Sequence, residues 1–389
     1  MRPAFLLLAL AVAPVGCSSP GADAHTVANG PAGTTAAAPG RSSSGAPVET
    51  RLTVPAGLQA TIIATVTGAR ALTVGPDGAV YVSQPTSNQV TRLVLNANGV
   101  ADPPTVAVKG LNKPHGMDFH NGWFYIANTG GVVRVKLDQA GKAIGTPEQL
   151  NHYGSGGGHW TRSIEFGPDN KMYVSIGSTC NVCVETDSTR ATVMQFDENG
   201  QHGRIFARGL RNAVGMAFNP VTHDLWVSQN ERDDIKPAHE DLPPEEINIV
   251  HAGGDYGWPY CYGNRIPNPE YHDAARCAST IAPALEMQAH SAPLSLTFLN
   301  DATQLPVDYR GDAVVAFHGS WNRTTPTGAK IVRIRIQNNK PVGYQDFVTG
   351  WQTADGKRWG RPVDVAVMHD GSLVISDNGS GEIIRIAKK

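Results

Sequence analysis

Leu72-Thr-Val-Gly-Pro-Asp-Gly-Ala-Val-Tyr-Val-Ser83 is a hydrophobic alternation, a turn, and a second hydrophobic run that ends in a small polar residue. Period-2 alternation on both sides of Gly/Pro/Asp turn chemistry is the pattern of a β-hairpin. The pattern returns as Gly116-Met-Asp-Phe-His-Asn-Gly-Trp-Phe-Tyr-Ile-Ala127 and as Ser163-Ile-Glu-Phe-Gly-Pro-Asp-Asn-Lys-Met-Tyr-Val-Ser175. A fourth copy is Gly215-Met-Ala-Phe-Asn-Pro-Val-Thr-His-Asp-Leu-Trp-Val-Ser228. The fifth is stretched, from Leu294-Ser-Leu-Thr-Phe298 to Gly311-Asp-Ala-Val-Val-Ala-Phe317, and the sixth runs from Val363 to Ser376. β-branched stretches between copies, such as Gln89–Val94, Val132–Lys136 and Lys330–Ile336, supply further strands. Six copies of one hairpin predict an all-β fold, a six-bladed β-propeller, whose radial closure leaves few exposed edges. The spacing is uneven, and Asp233 to Pro293, between hairpins four and five, is expected to hold a long functional insertion.

Composition agrees with a turn-rich chain: 42 glycines and 27 prolines in 389 residues, both poor in helix interiors. Thirty-two Lys plus Arg against 34 Asp plus Glu give a net charge of −2, which argues against a basic nucleic-acid binder or an acidic tail protein. No apolar run approaches the ~20 residues of a membrane-spanning helix. One charge at Arg2, an apolar stretch from Phe5 to Val15 and then Gly16-Cys17-Ser18-Ser19 read as an export signal. The Gly16-Cys17 junction resembles a bacterial lipobox, with Cys17 as the acylated residue; an ordinary secretory signal is the alternative. Residues 18–50, almost wholly Ala, Gly, Pro, Ser and Thr, are expected to be a disordered spacer. The chain thus divides into a signal (1–17), a spacer (18–50) and a propeller (51–389), exported and held at the periplasmic or cell surface. Without Cys17 four cysteines remain, and export favours Cys180–Cys183 and Cys261–Cys277 as disulfides over a four-cysteine zinc site.

In a propeller the innermost strands start beside the central axis, so residues just ahead of each hairpin share one face. Those residues include Pro114-His115, His159 with Arg162, Arg211-Asn212, His290 and Arg361. One such Arg or His is usually structural. Their recurrence at one place in the repeat points to a site for an anionic ligand. His159 follows Gly154-Ser-Gly-Gly-Gly158, where missing side chains let the backbone approach a flat ligand, and a neutral imidazole there suits a general base.

Several strings in this order carry a resemblance. His159-Trp-Thr-Arg-Ser-Ile-Glu-Phe-Gly-Pro-Asp, Gly209-Leu-Arg-Asn-Ala-Val-Gly-Met-Ala-Phe and Glu246-Ile-Asn-Ile-Val-His-Ala-Gly-Gly-Asp-Tyr-Gly-Trp-Pro259 are similar to the PQQ-dependent soluble sugar dehydrogenases. His318-Gly-Ser-Trp-Asn-Arg323 and Gly360-Arg-Pro-Val-Asp364 resemble the sorbosone dehydrogenase branch of the glucose/sorbosone dehydrogenase family. The resemblance runs from about residue 52 to 386 and implies a six-bladed propeller that oxidises a sugar, sugar aldehyde or related alcohol. Its electrons would pass to an acceptor such as a cytochrome or quinone, with no nucleic acid involved and a membrane contacted only through the lipid anchor.

The resemblance implies these roles. His159 matches the catalytic base and Arg211 the cation over the quinone oxygen. Asn212, Asn230, Arg361 and Arg323, beside Trp321 and Asn322, match cofactor contacts. Calcium is implied at the backbone carbonyls of Glu231 and Arg232, and a second calcium at Glu246, Tyr256 and Glu286. His115 and Val214 fall on the substrate side. Val214 and Val363 stand where glucose-oxidising members have polar residues, and Ser178 replaces an acid that orients the catalytic His, so glucose is not the expected substrate. A propeller that binds a carbohydrate or a protein without turnover is the alternative reading. A calcium-dependent lactonase is a third, disfavoured because Arg and His rather than carboxylates line the inner positions.

Overall fold

The computed structural model describes residues 48–235 and 240–389. The signal, Cys17 and all but the end of the spacer therefore lie outside the described residues. Strands fall into six sheets of one design, plus a two-stranded ribbon. Blade one is Leu72–Val74, Val80–Gln84, Gln89–Leu93 and Thr105–Lys109, each antiparallel to the next. Blades two and three begin with the hairpins Met117–His120/Trp123–Asn128 and Arg162–Phe166/Met172–Ile176. Blades four, five and six begin with Ala213–Phe218/Leu225–Gln229, Thr297–Phe298/Ala313–Phe317 and Pro362–Val367/Leu373–Asp377. All six hairpins read from the sequence are intact, each within one blade. Blade six takes its outer strand, Leu58–Thr65, from the start of the fold, where it pairs with the last strand, Glu382–Lys388. That pairing closes the ring.

The stretch from Asp233 to Pro293 carries the two outer strands of blade four, Glu245–Val250 and Leu285–Met287. The added chain lies between them. It holds the ribbon Cys261–Tyr262/Ile266–Pro267, a short helix Ala274–Ala278 and a two-residue strand, Gly254–Asp255, added in parallel to blade three. Cys261–Cys277 staples this segment and Cys180–Cys183 closes a loop of blade three. Cys180, Cys183 and Glu185 cluster, but with their sulfurs bonded to each other the cysteines are not thiolate metal ligands.

Alternation does the packing. Leu72, Met117, Ile164, Met216, Leu296 and Val365 point from the inner strands into six apolar cores, each shared by two neighbouring blades. Fully burying one such side chain contributes roughly 1.5–3 kcal/mol, so blade-to-blade contact dominates the stability of the ring. Inner strands of adjacent blades are not paired as a ladder, and side chains tie them instead. Asp118 accepts from Phe166 N (2.9 Å), Asp364 from Leu72 N (2.8 Å), and Thr297 donates to Val365 O (2.5 Å). Ser163 also donates to Val214 O. The approach is close enough that a Cβ on Gly215 would fall 2.3 Å from Ser295 C.

Candidate functional site

Two residues ahead of each blade-core residue stand Arg70, His115, Arg162, Val214, Leu294 and Val363, one per blade at the head of the central channel. The ring is two-sided. Blades one to three contribute two arginines and a histidine, whereas Val214, Leu294 and Val363 from blades four to six form one apolar cluster. The two valines that depart from the glucose-oxidising pattern thus pack together and make half the ring apolar. Below it a cavity of about 440 Å³ follows the axis.

His159 lies beside this ring. A Cβ on Gly177 would fall 2.6 Å from Asn212 Oδ1 and 2.7 Å from His159 Cβ, so a glycine there brings Asn212 and His159 together. His159 Nδ1 is 2.8 Å from Ser178 Oγ and 3.0 Å from Ser178 O. The Ser178 hydroxyl donates to Cys180 O (2.7 Å), so both Ser178 oxygens can only accept from the ring. Nδ1 therefore carries the hydrogen and Nε2 keeps its lone pair. Burial, and then the Arg211 charge, hold the imidazole well below its usual pKa. A serine does here the orienting that an acid does in the sequences it resembles.

Arg211 is buried, and its N–H groups are committed. Nε donates to Asn181 O (3.0 Å), Nη2 to Asn181 Oδ1 (3.0 Å), and Nη1 to Asn230 O (3.1 Å) and Glu231 O (2.7 Å). A guanidinium thus already occupies the Glu231 carbonyl expected to face calcium, and cation and metal do not fit there together. Arg232 is turned into the added segment, where Nη1 meets Asn268 (3.0 Å) and Glu270 (2.5 Å). Asn230 spends its Nδ2 on Pro293 O (2.6 Å).

The second cation position fares differently. The Glu231 side chain, not only its carbonyl, joins Glu246: Gln229 Nε2 donates to both carboxylates, and Asn248 Nδ2 donates to Glu246 (2.9 Å). Gln229 Oε1 and Asn248 Oδ1 are buried and unpartnered. Burial, then the charge of Glu231, pushes the Glu246 pKa well up, and burial raises Glu231 too. Two buried carboxylates with two orphaned amide oxygens suit a hard cation. Tyr256 is not part of this group through its phenol, which donates to Ile249 O (2.7 Å) further along the strand. Glu286 lies cross-strand from Glu246, exposed, and accepts from Asn264 N (2.8 Å).

Arg323 is also placed differently from its expected cofactor contact. It reaches Glu240 O and holds Asp241 at 3.0 Å, on the segment that precedes Glu245. Trp321, in the same loop, is 71% exposed. Arg361 donates from its side chain to His318 O (3.0 Å) and Gly319 O (2.7 Å) and forms no side-chain ion pair among the described residues; its backbone N–H is held by Asp377 (2.8 Å). Arg70 is its neighbour, with a buried, unpartnered Nε. Burial, then mutual repulsion, lowers the Arg70 pKa to about 10, and burial, then Arg358, does the same to Arg361. Burial, then Arg361 and Arg70, pushes His318 well down, and burial, then Arg70, pushes His115, whose ring nitrogens are buried without a hydrogen-bond partner among the described residues, to about 3. Such a set repels itself until an anion arrives. Three residues were missed in the sequence: Arg70, which stands before hairpin one by the rule that found His115; His318, after hairpin five; and Asn181. His290, ahead of hairpin five, pairs with Asp233 (3.4 Å).

A family model for TrAA12-like proteins matches residues 52–389. The chain belongs to this family. A PQQ-dependent pyranose dehydrogenase of Coprinopsis cinerea is 26% identical over 404 aligned residues, covering 85% of this chain and 53% of the relative. An uncharacterized protein of Borreliella burgdorferi is 29% identical, covering 72% of this chain and 76% of the relative. The chain therefore spans about half the length of the Coprinopsis enzyme. Among solved structures, a Trichoderma reesei carbohydrate-active enzyme of family AA12 superposes with a TM-score of 0.77 at 24% identity, covering 89% of this chain and 98% of that one. The holo PQQ domain of the Coprinopsis pyranose dehydrogenase superposes at 0.74 and 22%, covering 88% and 98%. These relatives and neighbours include PQQ-dependent sugar oxidoreductases.

Proposed function

We propose that this TrAA12-like chain is an exported quinoprotein that oxidises a sugar, sugar aldehyde or related alcohol and passes the electrons to a cytochrome or quinone. The observation that carries the reading is a His159 held neutral, with no hydrogen-bond partner for Nε2 among the described residues, on the same face as Arg70 and Arg361, which form no ion pair among them. When bound, PQQ supplies a two-electron acceptor for the hydride leaving the substrate carbon. Its three carboxylates suit Arg70 and Arg361, whose charge-assisted hydrogen bonds would orient it. His159 Nε2 takes the proton from the substrate hydroxyl as the carbon–hydrogen bond breaks. Arg211, its N–H groups already committed, acts on the developing negative charge through its own charge. Val214, Leu294 and Val363 exclude water from one side and favour a less polar face of the substrate. Calcium, in this reading, is held by Glu231 and Glu246 as a structural ion. Export, with lipid attachment at Cys17, belongs to the same proposal.

The test is reconstitution of purified full chain with PQQ and Ca²⁺, followed by a screen of pyranoses, sugar aldehydes and alcohols with an artificial electron acceptor. PQQ-dependent turnover of at least one is expected. Tight PQQ binding with no turnover of any would favour the non-catalytic alternative.

A further inference from the structure

The loop 179–190 contributes no residue to any apolar cluster, yet it touches the two central side chains of the site. Asn181 is the hub. Its carbonyl accepts from Arg211 Nε (3.0 Å) and Trp258 Nε1 (3.2 Å). Its Oδ1 accepts from Arg211 Nη2 (3.0 Å) and Asp233 N (2.8 Å), while Nδ2 donates to Asp233 O (2.9 Å). One residue away, Cys180 O fixes the Ser178 hydroxyl, which in turn fixes the His159 ring. The backbone on either side of that hub is closed by the Cys180–Cys183 bond.

We propose that the Cys180–Cys183 loop is a positioning element: Asn181 sets the Arg211 guanidinium, and Cys180 O, by taking the Ser178 hydroxyl hydrogen, adds a second acceptor to the Ser178 carbonyl that holds His159 in its Nδ1–H tautomer. The loop is half-exposed and without buried hydrophobic residues, so polar contacts and the disulfide hold it: Thr179 N donates to Glu185 (2.6 Å) and Arg190 Nη1 to Gly154 O (3.0 Å), while the Cys180–Cys183 bond closes the backbone that carries Asn181 and Cys180 O. Misplacing a reacting group by an ångström costs ~100-fold, so an element that fixes both groups has leverage on rate without touching substrate. This inference rests on the reading of His159 as the base.

The experiment uses full chain with C180S/C183S and Asn181→Ala, and C261S/C277S as the control that removes the other staple. Two readouts are taken. Two-bond ¹H–¹⁵N spectra, with His159 assigned by its loss in His159→Ala, report the tautomer whether or not the protein turns over. Turnover and PQQ affinity are measured separately. The wild type is expected to show the Nδ1–H form. C180S/C183S is expected to convert His159 to mixed tautomers and lower kcat at saturating PQQ by ~10- to 100-fold. Asn181→Ala, with the bridge intact, is expected to lower kcat by ~10-fold while His159 keeps its tautomer. C261S/C277S is expected to lower the melting temperature and leave tautomer and kcat alone. An unchanged tautomer and kcat in C180S/C183S overturns the proposal, as do equal losses in both cysteine pairs. An Nδ1–H wild type that oxidises nothing leaves the positioning intact and removes the catalytic reading instead.

Discussion

The six inner strands line two environments. At the head of the channel stand Arg70 and Arg361, which form no side-chain ion pair among the described residues although Asp364 and Asp377 lie near enough to act on them, beside His115 and His318 held neutral. Lower in the channel the charges are acidic: Asp118, Glu165 and Asp364. The acids are accounted for by the protein itself. Asp118 and Asp364 accept backbone N–H groups from the next blade, and burial, then the charges of those two acids, push the Glu165 pKa well up. Charges satisfied by backbone read as structure, and charges left without a counter-ion read as a ligand site. The distinction is energetic, because an unpaired buried charge costs several kcal/mol that only a ligand can return.

Four substitutions sharpen or break this contrast. His159→Ala is expected to retain PQQ and lose ~10²- to 10⁴-fold in turnover, the span of a lost general base, measured at saturating cofactor. Full activity in that variant would break the funnel half of the account. Arg361→Ala should weaken PQQ binding by ~10- to 100-fold, as loss of a charge-assisted bond worth ~1.5–3 kcal/mol requires, read by equilibrium titration. In the channel, Asp118→Ala leaves Phe166 N–H without its acceptor and should cost ~1–3 kcal/mol in denaturant unfolding, with PQQ affinity unchanged. Glu165→Gln keeps the shape of the side chain and removes a charge that burial already disfavours, and should shift stability by under ~0.5 kcal/mol. A large effect on cofactor binding from either channel variant would erase the contrast.

The channel acids also have a pH signature. Burial raises Asp118 and Asp364 to about 6, above their unfolded values near 4, so the native state holds more protons between those limits. Stability from these two groups therefore falls as pH rises from ~4 to ~6 and is flat above. Asp364→Asn should flatten part of that slope in melting-temperature profiles, and an unaltered slope would place the titration elsewhere.

How much of this was legible follows from the range of each signal. The hairpins were, because alternation and turn chemistry are local, and the position of His159 ahead of an inner strand was, because that follows from the hairpin it precedes. Arg70 obeys the same rule and was passed over in a sequence where arginines are common. The contacts of Arg323 were not legible, because a loop cation carries no direction: its partners, Glu240 and Asp241, lie more than eighty residues away. Glu246 meets Glu231, two residues past the end of the strand that Glu246 pairs with, and resemblance supplies Tyr256 in its stead. Asn181 gave no signal, since its partners lie 30, 52 and 77 residues distant. What the fold alone brings together, periodicity does not announce.

The most direct measurement is an anaerobic titration of the full chain with PQQ, followed by addition of a pyranose while the quinone absorbance is recorded. The account predicts uptake of one PQQ per chain, and loss of the quinone absorbance when an oxidisable sugar is added. No uptake, or uptake followed by an unchanged spectrum with every sugar tried, would contradict it.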